Sequence, residues 1–204
     1  MNTPTNPGQA LAGNSAGGEG AQRIAFVIMV AVLLIAPIWV YPIFMMKLMC
    51  FALFACAFNL LIGFGGLLSF GHAMFLGSAG YVSAWCAKSL GLNPEFAILA
   101  GTASATLIAV VSGMLAIRRQ GIYFAMITLA LAQMIFFFCL QAPFTGGEDG
   151  IQAVPRGKLF GIIDLSNNLA MYGLVMAIFL GGFLLIWRII HSPFGQVLKA
   201  VREN

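Results

Sequence analysis

Charged residues are so sparse along this chain that they mark out its apolar segments. Residues 48–87, between Lys47 and Lys88, carry no formal charge. A bilayer-crossing helix needs about 20 mostly apolar residues, so this stretch predicts two spans, about 48–62 and 72–87. Residues 24–46, bracketed by Arg23 and Lys47, predict a first span that Pro37 and Pro42 kink in its second half. Residues 96–117, closed by Arg118 and Arg119, predict a fourth span, and residues 122–140 a fifth. Residues 169–190 predict a sixth, with Arg188 near its end and able to snorkel to the interface. The expected fold is an all-α integral membrane protein, a bundle of about six transmembrane helices over residues 23–190.

The longest apolar run is interrupted in its middle. Residues 59–75 read NLLIGFGGLLSFGHAMF, with Gly63, Gly65, Gly66 and Gly71 alongside Asn59, Ser69 and His72. Backbone groups freed by a break at membrane depth are tolerated only against protein or a water-lined cavity. Residues 63–71 are therefore either a cytoplasmic turn between two spans or a broken segment beside a pathway. In both cases Ser69 and His72 are expected in the protein interior, away from lipid.

Composition supports the membrane assignment. The 204 residues are 61% hydrophobic and 8% charged, with a mean hydropathy of +0.97, whereas soluble domains carry about 25% charged residues. The net charge of +4 is read as membrane orientation, since no basic patch with interleaved aromatics points to nucleic acid. Residues 1–22 lack the basic start and apolar stretch of a secretory signal and are expected to be a disordered tail. An amino terminus on the cytoplasmic side places Arg23, Arg118, Arg119, Arg188, Lys199 and Arg202 inside, against Lys47, Lys88, Arg156 and Lys158 outside. The positive-inside rule favours that orientation. Gly101, Ala105, Ala109 and Gly113 on the fourth span, and Gly173, Ala177 and Gly181 on the sixth, recur at four-residue spacing and predict faces for close helix packing.

The chemistry is that of a passive or externally driven conduit. No charged residue lies well inside a span, apart from Arg188 at the end of the sixth, which argues against a proton-driven carrier. The chain has no GxxxxGK[ST] loop, catalytic triad or paired-carboxylate site, so it is not expected to be an enzyme or to bind ATP or another cofactor itself. Cys50, Cys56, Cys86 and Cys139 read as small buried hydrophobes. No metal site is expected, because His72 and His191 lie far apart and Glu148 with Asp149 offer too few oxygens for calcium. Asn59, Ser69, His72, Thr128 and Gln133 are polar residues within spans. They serve either as interhelical hydrogen-bonding groups or as the lining of a translocation path. The loop 143–168 holds TGGEDGIQAVPRG, strong turn material. After the sixth span, HSPFGQVLKAVREN predicts a short cytoplasmic helix capped by Ser192, with Pro193 in its first turn. Val197, Leu198 and Val201 are expected on one face, suited to a membrane surface or a partner's groove.

Four blocks in order, NLLIGFGGLLSFGHAMFLGSAGYVSA, RRQGIYFAMITLALAQMI, TGGEDGIQAVP and SPFGQVLKAVREN, resemble the M-type membrane permease of branched-chain amino acid ABC importers. The resemblance covers residues 48–204. It implies a subunit of the bacterial inner membrane that pairs with a related permease, binds two cytoplasmic ATPases that carry the ATP, and receives cargo from a periplasmic binding protein. It implies branched-chain or related amino acids as cargo. It also implies that residues 191–204 are the coupling segment, with Ser192, Pro193, Phe194, Gly195, Lys199, Arg202 and Glu203 facing the ATPase. Leu67 departs from the family, which usually has glutamine there. The chain ends where relatives continue through further membrane helices, so a truncated subunit is expected. The competing readings are a secondary transporter or channel for a small polar solute, with its site at the broken segment, and an assembly subunit without a pathway.

Overall fold

Prolines punctuate the first part of the chain. The computed structural model describes residues 7–119 and 121–203, with side chains at 20–21, 23–119 and 121–200. The chain divides into two compact units, Met1–Met45 and Met46–Asn204. In the first, helix α1 (Pro7–Trp39) keeps Pro37 inside it, and the chain leaves helical geometry at Val40 and Tyr41. Helix α2 (Pro42–Gly65) then starts on a proline. Proline lacks the N–H that a first helical residue leaves unused, and it holds the preceding residue extended. The expected kinked span over 24–46 is thus corrected: the boundary is at Pro42, and Lys47 is an exposed residue in the second turn of α2. Of the expected disordered tail, residues 1–6 lie outside the described residues. From Pro7 the backbone is helical and continuous with the apolar segment, since adding residues to a formed helix avoids the cost of nucleation.

The second unit is organised around helix α3 (His72–Ser89), which packs along helix α4 (Pro94–Ala116) and against helix α5 (Ile122–Gln141). Gly101 permits the closest approach, since a Cβ there would stand 2.6 Å from the Ala79 carbonyl oxygen. Ala97, Gly101, Ser112 and Ala116 are the buried residues of α4, whereas Gly113 faces open space. The expected Gly101–Ala105–Ala109–Gly113 face is therefore correct at its start and wrong at its end. At about 100° per residue, each four-residue step drifts about 40° around the helix, while eleven residues return to within about 20°. Ser112 accordingly replaces Gly113.

After α5 come two single 3-10 turns, Pro143–Thr145 and Gly147–Asp149, and a hairpin of β1 (Lys158–Leu159) antiparallel to β2 (Ile163–Asp164). Helix α6 (Asn168–Ile190) follows, with the Asn167 side chain accepting from the Leu169 N–H at its start. Helix α7 (Pro193–Glu203) ends the chain. The small-residue face expected on α6 is not packed against any described element, because Gly173 and Gly181 look onto open space. Gly182, on another face, is the one set against Leu53 of α2.

Among the described residues four helices, α2, α4, α5 and α6, are long and apolar enough to cross a membrane. The Arg23–Trp39 part of α1 is apolar but shorter, and α3 carries Ser78, Ser83 and Lys88 on a helix covered largely by protein. The molecule is an all-α, multi-pass membrane protein, in which the six expected spans are visible in part.

Candidate functional site

Residues 66–71 leave the helix between α2 and α3, and the N–H groups of Gly66, Phe70 and Gly71 find specific partners. Gly66 has φ +64 and its N–H bonds back to Ile62, closing α2. The Phe70 N–H donates to Thr128 Oγ1 at 3.2 Å, and the same hydroxyl donates to the Ala125 carbonyl at 2.9 Å. The Gly71 N–H donates to Ser69 Oγ at 3.3 Å. Ser69 and Thr128 are each 4% exposed. A Cβ on Gly71 would stand 2.9 Å from the Thr128 carbonyl oxygen, so only glycine fits here without displacement.

The depth of this segment follows from its neighbours. Thr128 is six residues into α5, about 9 Å from its start at 1.5 Å per residue. His72 packs against Phe58, seven residues before the end of α2, or about 10 Å inside it. The chain therefore turns after Gly65 and runs back along the bundle before α3 begins. Relative to the helix ends this is a non-helical stretch that folds back along α2 and α5. Its Ser69 and Gly71 are held against protein, while Gly66, Leu68 and Phe70 are exposed.

His72 opens α3 with its ring edge-on to Phe54, Phe58 and Phe75, at centroid distances of 6.1, 5.4 and 5.7 Å. Its Nδ1 is enclosed and without a hydrogen-bond partner. Among the described residues no cluster of metal-ligating side chains exists. Ser69, His72 and Thr128 thus come together at the unwound stretch. Asn59 and Gln133 do not join them; both are exposed on other faces of α2 and α5. Beside the stretch opens a cleft of about 460 Å³ lined by Gly66, Leu67, Leu68, Phe70, Gly121, Ile122 and Ala125. Leu67 makes this wall apolar where an amide would have offered hydrogen bonds.

The opposite end of the bundle is closed by the loop after α5. The buried Thr145 hydroxyl lies within hydrogen-bond reach of the Cys139 and Ala142 carbonyls at the end of α5. Gly146, at φ +82, allows the Gly150 carbonyl to approach where a Cβ would otherwise sit. Lys88 Nζ donates to the Gln152 carbonyl at 2.9 Å, tying the loop to the end of α3. A shallower cleft of about 340 Å³ lies between Gly77, Gly80 and Tyr81 of α3 and Asp149–Ile151 of the loop. The roles of Tyr81 and Lys88 were not legible in the sequence, because nothing in the local pattern ties α3 to a loop 60 residues later.

Helix α7 is locked to α6. A Cβ on Gly195 would stand 2.5 Å from the Ile190 carbonyl oxygen and 2.7 Å from that of Ile189. The expected Ser192 cap is modified: its hydroxyl donates backward to the Ile189 carbonyl at 2.7 Å, and its own carbonyl accepts the Gly195 N–H that starts α7. Pro193 is the first residue of the helix, as expected. Phe194 and Val197 are 61% and 58% exposed, and Lys199 is exposed while Leu198 is half-buried. The side chains of Val201, Arg202 and Glu203 lie outside those described.

Residues 41–204 match the family model described as branched-chain amino acid transport system / permease component. The chain is 24% identical over 180 residues to the high-affinity branched-chain amino acid transport system permease protein LivM of Salmonella typhimurium, and 23% over 184 residues to LivM of Escherichia coli. Each match covers 76% of this chain and 42% of the relative, so the chain spans less than half the length of the curated relatives it matches. No solved structure matches it. With the family match extending from the start of α2 through the unwound stretch to α7, the chain belongs to the branched-chain amino acid transport system permease family.

Proposed function

We propose that this chain forms part of the membrane permease subunit of an ATP-driven importer for branched-chain or related amino acids in a bacterial inner membrane. The observation that carries the reading is the family match over residues 41–204, which includes α7 with its exposed Phe194 and Val197. In this reading the amino terminus is cytoplasmic, and α7 meets one of two ATPase subunits. A related permease chain completes the pathway, and a periplasmic binding protein delivers cargo. ATP is bound and hydrolysed by the partners.

The mechanism rests on rigid connection. The ATPase closes on ATP and displaces α7. Because Gly195 sits directly on the last carbonyls of α6, with only His191 and Ser192 between the two helices, the displacement passes into α6 as a rigid unit. The unwound stretch at residues 66–71 is the natural place for the response. Few backbone bonds among the described residues hold it, and the Phe70–Thr128 bond joins α5 to the start of α3. Ser69, His72 and Thr128 act there as hinge or lining groups, while Asn59 and Gln133 face neighbouring chains or lipid. The test is uptake of labelled leucine, isoleucine or valine by cells carrying the whole system. Uptake abolished by vanadate and insensitive to an ionophore supports the reading. Uptake that follows the proton gradient and ignores vanadate sinks it in favour of a secondary transporter.

A further inference from the structure

The hairpin between α5 and α6 presents apolar side chains at its tip. Phe160 is 72% exposed and Ile162 86% exposed, with Ile163 also exposed beside them. The tip is held in an unusual conformation. Phe160 has φ +50 and Gly161 φ +73, and the Ile162 N–H bonds to the Leu159 carbonyl. Three residues, 160–162, separate the paired Leu159 and Ile163, and left-handed geometry at the first of them favours Asn, Asp or Gly. A bulky aromatic is costly there.

The level of the tip is fixed by what holds it. The Phe160 N–H donates to Glu95 Oε1 in the first turn of α4. The other carboxylate oxygen of Glu95 is enclosed. A Cβ on Gly157 would stand 3.0 Å from Pro94 Cδ, at the first residue of the same helix. Four residues after β2 the chain enters α6. The hairpin is thus seated on the end of one membrane helix and leads directly into another. At that level lies the boundary between headgroups and acyl chains, where aromatic rings with nearby Lys and Arg are favoured. Arg156 and Lys158 stand on the hairpin's arms and are exposed. Arg156 also donates to Asn168 at the start of α6. Asp164 pairs across the strands from Lys158, so with Glu95 the local charge is balanced and suits zwitterionic headgroups.

We propose that residues 160–163 form an interfacial wedge: Phe160 and Ile162 insert into the headgroup–acyl boundary of the leaflet on this side, with Arg156 and Lys158 at the phosphate level. This depends on the chain spanning a membrane and not on what it transports. The test incorporates the photoreactive analogue benzoylphenylalanine at position 160 of the whole subunit, assembled with its partners in native membranes. Illumination is expected to yield phospholipid adducts. A nitroxide label at Ile162→Cys, in a background lacking the four native cysteines, is expected to show an oxygen-to-nickel-chelate accessibility ratio several-fold above that of a label at Glu148→Cys. Protein adducts at 160 together with a label at 162 shielded from both reagents would assign the tip to a protein partner and overturn the proposal. Equal ratios at 162 and 148 would show a hairpin in water and overturn it as well.

Discussion

At Gly71 a single hydrogen atom in place of a methyl group decides whether the unwound stretch can lie on α5. A Cβ would stand 2.9 Å from the Thr128 carbonyl oxygen and 3.2 Å from Thr128 Cβ, both on a packed helix. Gly71→Ala is therefore expected to destabilise the fold by about 1–3 kcal/mol, read as a lowered melting temperature in detergent. An unchanged melting temperature would mean that α3 does not begin there. Thr128→Val keeps the shape of the side chain but leaves the part-buried Phe70 N–H without its acceptor, at an expected cost of about 1 kcal/mol. Thr128→Ser retains the acceptor and is expected to recover most of the loss; equal destabilisation by both variants would show that packing of the methyl matters and the bond does not. Ser69, His72 and Thr128 were legible in the sequence because polar atoms in an apolar run must be housed somewhere. Asn59 and Gln133 carry the same signal and yet are exposed, since helix phase, not residue type, decides which face meets protein. Gly101 was legible as the start of a small-residue face, but the special status of Gly71 was invisible among the 24 glycines, because close approach depends on a neighbour distant in sequence.

The elements show which local rules survive packing. Pro37 and Pro42 were read as kinking one span, but Pro37 is absorbed into α1 while Pro42 starts α2. A first-turn proline costs nothing and an interior one costs a hydrogen bond, so the two cannot be told apart before the helix ends are known. The break after α2 and the helix after the sixth span were legible from glycine, serine and proline. The β1–β2 hairpin was not, since two-residue strands carry no periodicity. Within it the Asp164 carboxylate accepts the Ser166 N–H at 2.9 Å. That bond, with Lys158 opposite adding to it, holds its pKa below the ordinary carboxylate value. A depressed pKa means stabilisation that is complete above about pH 4 and lost as pH falls through the lowered value. A nitroxide label at position 162 is expected to gain mobility over that acid range, whereas Asp164→Asn removes the pH dependence. A wild-type label equally mobile from pH 6 to pH 2 would show that the carboxylate does not order the hairpin.

At the scale of the whole molecule, exposed apolar side chains run along every long helix. On a protein in water such a surface would aggregate; around a membrane bundle it meets lipid and neighbouring chains. The small-residue face of α6 at Gly173, Ala177 and Gly181 is open in this chain. In the proposed importer, α7 couples the bundle to an ATPase. The most direct measurement is recovery of the ATPase subunits with the tagged permease from native membranes. Truncating an exposed aromatic anchor typically costs more than 1 kcal/mol, so Phe194→Ala is expected to lower recovery about tenfold. Gly195→Val, which forces α7 off the Ile189 and Ile190 carbonyls, is expected to lower it at least as far. Undiminished recovery after removal of residues 192–204 would contradict the claim.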